Sequence, residues 1–108
     1  MTPEEETICL ELIVHAGTGR AEAFAGLEAA KAGDFPGAAA HLAESEQALG
    51  GAHTAQTRLL AGEAQGVGMT PSLLLVHAQD QLMTAIAERG LIAELIELYR
   101  RLDDRDAR

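Results

Sequence analysis

At 108 residues, with 47% hydrophobic but only 3% aromatic side chains, the chain has room for one modest domain, spanning 1–108, whose core must be built from alanine, leucine and isoleucine. Seventeen acidic against eight basic residues give a formal charge of −9, which argues against a phosphate backbone as partner; Phe24, Phe35 and Tyr99 offer no stacking platform for single strands. No nucleic acid is expected as a partner. The lone Cys9 excludes an intrachain disulfide, the opening residues TPEEET are acidic where a signal peptide is basic, and no apolar run reaches membrane-spanning length. A cytoplasmic chain without direct membrane insertion is expected.

Three helices account for nearly all of the sequence. Thr2, Pro3 and the glutamates after them read as an N-cap, a first-turn proline and acids facing the helix dipole. The first helix then runs to about Lys31, with Gly17 and Gly19 placing a bend near its middle. Gly33-Asp34 supplies a stop followed by a new N-cap. From Phe35 the second helix carries one stripe, Phe35, Ala38, Leu42, Ser45, Leu49, Ala52, Gln56 and Leu59, spaced as in a coiled coil with polar breaks. Gly50-Gly51 lies inside that rhythm and reads as a weak point or a site of close approach, while Gly62, Gly66 and Gly68 form the loop that ends it. Thr70-Pro71 is expected to cap the third helix, which continues to about Leu102 with Arg100 and Arg101 at its negative end; the tail DDRDAR is expected to fray.

The third helix holds the stretch LLLVHAQDQLMT, Leu73 to Thr84, in which His77 and Asp80 stand three residues apart in an otherwise apolar run. Projected at about a hundred degrees per residue, Leu73, Val76, Ala87, Leu91 and Leu98 gather around Asp80. Leu75, Ala78, Leu82, Ala85, Ala93 and Ile96 gather on the opposite side. A small bundle covers only one of these faces with its own helices, so the other is expected to be buried by further copies of the chain. A carboxylate in that seam needs a proton, a partner or a cation, and His77 lies about sixty degrees from its centre, at the edge.

Each of these residues also has an ordinary reading. His77 fits the edge of any packed helix; as a neutral imidazole it is also a competent nucleophile for a phosphoryl group, with no hydroxyl to deprotonate. Asp80 fits an exposed or a protonated carboxyl, or a ligand on which symmetry-related copies converge around a divalent cation. Gln79 and Gln81 fit a solvated surface, or donors orienting an imidazole or a phosphate. His15, His41 and His53 form no metal-ligand pattern; Ser45 and Ser72 lack a nucleophile elbow, and no glycine-rich phosphate loop occurs. Glu94 and Glu97 read as a solvated helix face.

The stretch LLLVHAQDQLMT resembles the signature of the lactose/cellobiose-type IIA component of the bacterial phosphoenolpyruvate-dependent sugar phosphotransferase system. The similarity extends over most of the chain, through Ile13-Val14-His15-Ala16-Gly17, Glu28-Ala29-Ala30-Lys31, Gly33-Asp34-Phe35, Ala52-His53, Gln56-Thr57, Leu59-Leu60 and Glu94-Leu95-Ile96-Glu97-Leu98-Tyr99. The resemblance implies an all-α fold, an antiparallel three-helix bundle that assembles as a homotrimer. It implies that His77 accepts a phosphoryl group from HPr and passes it to a cysteine of the cognate IIB component, while the membrane IIC component imports the sugar. It further implies that Asp80 binds a divalent cation, Mg2+ by family habit, on the trimer axis, with a structural role. One departure stands out: family members commonly read HAQDH, and this chain has Gln81, which hydrogen-bonds but cannot carry a proton. The competing reading is a non-catalytic oligomeric helical adaptor that keeps the fold without the relay. The sugar is not encoded here, since lactose, cellobiose and chitobiose systems all use this kind of subunit.

Overall fold

In the computed structural model, which describes residues 1–106, the chain folds into α1 (Pro3–Lys31), α2 (Phe35–Ala64) and α3 (Leu73–Asp106). The start of α1 is a capping box. Glu5 N–H donates to Thr2 Oγ1 at 3.1 Å, and Thr2 N–H donates back to Glu5 Oε2 at 2.9 Å. Its end is a Schellman turn: Gly33 takes φ +81°, its N–H donates to Ala30 O at 3.0 Å, and Asp34 N–H donates to Ala29 O at 2.8 Å. Asp34 then caps α2 by accepting from Gly37 N–H at 3.0 Å, so one residue closes the first helix and opens the second.

The end of α2 repeats the device. Gly66 takes φ +82° and Val67 N–H reaches back to Gly62 O at 2.8 Å, which keeps Gly62 inside the helix rather than in the loop expected for it. The cap of α3 also differs from expectation. Leu75 N–H donates to Ser72 Oγ at 3.1 Å, whereas Thr70 and Pro71 lie in the connection ahead of it. Proline disfavours helical backbone at Thr70, and Ser72 supplies the first hydroxyl beyond that restriction. At the other end α3 runs past Leu102 to Asp106, so the expected fraying there is corrected; Ala107 and Arg108, the last of the tail, lie outside the described residues. No glycine or proline interrupts the chain after Leu102, and Arg101 Nε bonds Glu97 Oε1 one turn back at 3.2 Å.

The helices run up, down and up, so α1 and α3 are parallel, with α2 antiparallel to both. They make a rod 60 × 20 × 19 Å in extent. Helix α1 packs along both neighbours, and α2 and α3 touch each other much less. Small residues make this possible: Ala16, Gly19, Ala23, Gly26 and Ala30 are buried along one stripe of α1. The helix passes uninterrupted through Gly17 and Gly19, and close approach rather than a break explains Gly19: a Cβ there would lie 2.6 Å from Leu49, and Ser45 Oγ donates to Gly19 O at 2.6 Å. Gly51 serves likewise, since a Cβ would meet the His15 ring at 3.3 Å. The expected α2 stripe faces inward, with Ala38, Ser45, Leu49 and Ala52 buried and Phe35, Leu42, Gln56 and Leu59 partly so.

One core cluster joins Cys9, Leu12 and Ala16 to Leu49, Ala52 and Ala55 and to Ala78, Leu82 and Ala85. The other joins Ala23, Ala30 and Ala38 to Ile92 and Ile96. Burial, and then the neighbouring Glu5 charge, push the Cys9 thiol up, which leaves it unreactive. Among the described residues no helix is long and apolar enough to cross a membrane.

The turn chemistry gives a paired prediction. Gly33→Ala forces a side chain into left-handed backbone and lowers stability by about 1 kcal/mol, whereas Gly50→Ala, helical, exposed and with open space around it, raises stability by about 0.5–1 kcal/mol. Thermal melts of both variants at one protein concentration check the signs; two shifts in the same direction would contradict the assignment.

Candidate functional site

The Ser72 cap fixes the start of α3 and so the direction in which its second turn presents His77. From there the helix has two apolar sides. Ala78, Leu82, Ala85 and Ile96 are buried in the bundle, while Leu73, Val76, Leu91 and Leu98, around Asp80, are 50–86% exposed. Among the described residues no other helix reaches this outer face, which is the two-sided arrangement expected from the spacing.

His77 and Asp80 are both exposed and share that side of α3. Among the described residues neither the His77 ring nor the Asp80 carboxylate has a hydrogen-bond partner, so both imidazole nitrogens and both carboxylate oxygens are free to meet a second molecule. The other histidines are differently placed. His41 Nδ1 lies 2.7 Å from Glu22 Oε2, the His15 ring packs against Gly51, and His53 is exposed on α2.

The two glutamines beside Asp80 part company. Two residues apart on one helix, they point about 160° away from each other. Gln79 turns to α2 and its Oε1 accepts from Gln56 Nε2 at 2.8 Å. Gln81 stays on the His77 side, where its Oε1 accepts from Arg20 Nη1 at 2.7 Å. Arg20 comes from α1 and is held on three sides. Its Nε donates to both Glu88 oxygens at 3.1 and 3.2 Å, and its Nη2 donates to Thr84 Oγ1 at 2.6 Å.

Arg20 was not among the residues singled out from sequence. Its one available signal is that it stands alone as a cation in α1 before Lys31. Its role depends on the axial alignment of α1 with α3, which spacing within either helix does not specify.

Chemically, the arrangement offers an accessible imidazole nucleophile bordered by unburied apolar surface, and a carboxylate in the middle of that surface. Among the described residues no group of three or more His, Cys, Asp or Glu side chains could hold a metal ion.

Comparison with known proteins gives the family and the fold. The sequence profile described as "PTS system, Lactose/Cellobiose specific IIA subunit" matches residues 7–100. The chain is 48% identical to the N,N'-diacetylchitobiose-specific EIIA component of Escherichia coli K12, over 92% of this chain and 85% of that one. The fold matches the crystal structure of the cellobiose-specific enzyme IIA of Bacillus anthracis with a TM-score of 0.92, at 39% identity, covering 96% of this chain and 94% of that one. It also matches the chitobiose IIA of Escherichia coli, solved in complex with HPr, with a TM-score of 0.82 at 45% identity, covering 94% and 99% of the two chains. The chain belongs to the lactose/cellobiose-specific IIA family and is a IIA component of the sugar phosphotransferase system.

Proposed function

We propose that this chain is a cytoplasmic phosphohistidine carrier: His77 takes a phosphoryl group from HPr and passes it to a cysteine of the cognate IIB component, which serves a IIC sugar transporter. The observation that carries this reading is the placement of His77. Among the described residues its ring is exposed and unpartnered, it borders the apolar outer face of α3, and it stands three residues before Asp80, whereas the half-buried His15 ring packs against Gly51 and His41 is paired with Glu22. A relative sharing 45% of its sequence forms a complex with HPr, which supports HPr as the donor.

The chemistry asks little of the protein beyond position and charge compensation. As the lone pair of a His77 ring nitrogen bonds to phosphorus, the P–N bond of the donor breaks and its electron pair returns to the donor imidazole. No hydroxyl proton has to be removed. The reverse logic applies at the IIB cysteine, whose thiolate takes the phosphorus while His77 recovers its lone pair. Leu73 and Val76, exposed beside His77, would form an apolar collar that excludes water from the docked interface and protects the labile P–N bond.

The outer face of α3 supports association with further copies of the chain, three of them in this reading. Covering one large aliphatic side chain contributes about 1.5–3 kcal/mol, and each chain offers Leu73, Val76, Leu91 and Leu98. Three copies of Asp80 converging on the axis would hold a divalent cation, Mg2+ in this reading, whose positive charge offsets the mutual repulsion of the carboxylates. That cation is structural.

Two outcomes follow. His77→Ala abolishes phosphate uptake and leaves assembly intact, because the side chain is exposed and unpaired. Intact mass after incubation with phosphoenolpyruvate, enzyme I and HPr reads this directly; a variant that still gains one phosphoryl group would overturn the assignment, and a wild type that gains none beside phosphorylated HPr would favour the adaptor reading. Asp80→Leu still assembles, and more tightly in the absence of metal, since three buried leucines replace three charges that cost several kcal/mol each. A monomeric Asp80→Leu chain in sedimentation would contradict the seam.

A further inference from the structure

Helix α3 carries a polar stripe beside its apolar outer face. His77, Gln81, Thr84 and Glu88 fall within about 60° of arc at a hundred degrees per residue, so each stands about one turn from the next. Arg20 of α1 bonds three of the four, namely Gln81, Thr84 and Glu88. The member it leaves free is His77.

The chemistry of that contact fixes the orientation of Gln81. A guanidinium only donates, so the carboxamide atom facing Arg20 at 2.7 Å must be the acceptor Oε1. The two N–H donors on Nε2 then point away from Arg20, and among the described residues no acceptor bonds them. One helical turn ahead stands the ring of His77. Without Arg20 the amide could rotate either end toward that ring. With Arg20 in place only donors are presented, and a phosphoryl oxygen only accepts.

The guanidinium is itself held rigidly. Both Glu88 oxygens take its Nε–H, and Thr84, which accepts from Nη2, is anchored in turn by its contact to Asp80 O at 2.7 Å. Glu88 also cancels much of its charge, so direct attraction between Arg20 and a phosphoryl group on His77, which Arg20 does not bond, is weak in solvent. Orientation of a neutral donor, strengthened by the cation bonded to its other end, is the larger effect.

We infer that Arg20, acting through Gln81, is a positioning residue for the phosphoryl group on His77: it locks the Gln81 carboxamide so that Nε2 donates to a phosphoryl oxygen. This rests on the assignment of His77 as phosphoryl acceptor, and it adds to that assignment a residue from another helix. It also gives Gln81 a function that needs no titrating group.

The test compares wild type with Arg20→Met, Gln81→Ala, the double variant and Gln81→Glu. Each is loaded from phosphoenolpyruvate, enzyme I and HPr, and the loading rate and the lifetime of the phosphohistidine are followed by intact mass and 31P NMR. Removing a hydrogen bond to a charged group predicts loading about tenfold slower for either single variant. The double variant should be no worse than the worse single one, because both remove the same bond.

Gln81→Glu separates positioning from mere structure. Its carboxylate pairs with Arg20, so the thermal midpoint holds or rises, yet it offers only acceptors to the phosphoryl group and loading falls further. A wild type that loads on His77 while Gln81→Glu and Arg20→Met load at the same rate overturns the inference and leaves the carrier function standing. Loading that falls only in proportion to lost stability overturns it too. A wild type that takes no phosphate overturns both.

Discussion

Helix α3 presents apolar side chains in two opposite directions, and the other two helices reach only one of them. The inner side, with Ala78, Leu82, Ala85 and Ile96, closes the core. The outer side, with Leu73, Val76, Leu91 and Leu98, is left to water or to another molecule. The residues of functional interest follow from this division: His77 and Gln81 lie on the edge of the outer face, and Asp80 lies in its middle. A single helix therefore contributes to the core, offers an assembly surface and positions the imidazole, and a change on one side is felt on the others through the rigid backbone they share.

The core that makes this possible is built from small residues. Alanine and glycine along α1 let both neighbours approach closely, and Ser45 satisfies its buried hydroxyl on the Gly19 carbonyl laid bare by that approach. Close packing also fixes the axial register of α1 against α3, which a core of large interchangeable leucines would hold less firmly. Register is what brings Arg20 level with Gln81, Thr84 and Glu88. The capping residues do the same work at the ends. Asp34 closes one helix and opens the next, and Ser72 sets the phase in which α3 begins.

What could be read from sequence was what local chemistry determines. Thr2 with Glu5, and Gly33 with Asp34, carry their turn geometry in adjacent residues, and α1 and the start of α2 fall where these place them. The two-sided character of α3 follows from spacing within one helix and agrees with the burial pattern. Misreadings arose where two local signals competed: Thr70-Pro71 looks like a cap, yet Ser72, one residue nearer, has the hydroxyl in reach. Gly62 looked like part of the loop, yet a helix ended by Gly66 needs the carbonyl of Gly62 as its acceptor. Gln79 and Gln81 seemed equivalent neighbours of Asp80, and only the packing of α2 against one and α1 against the other divides them. Arg20 carries only the faint signal of a lone cation in α1 before Lys31, because its meaning lies between helices.

The reading of the site turns on one histidine among four. The most direct measurement is long-range 1H–15N NMR of the imidazole rings before and after transfer from phosphorylated HPr, which reports each ring nitrogen separately. The expected result is a new P–N bond on His77, with the ring nitrogens of His15, His41 and His53 unmoved. Phosphate on any of those three rings, or on none, would contradict the assignment.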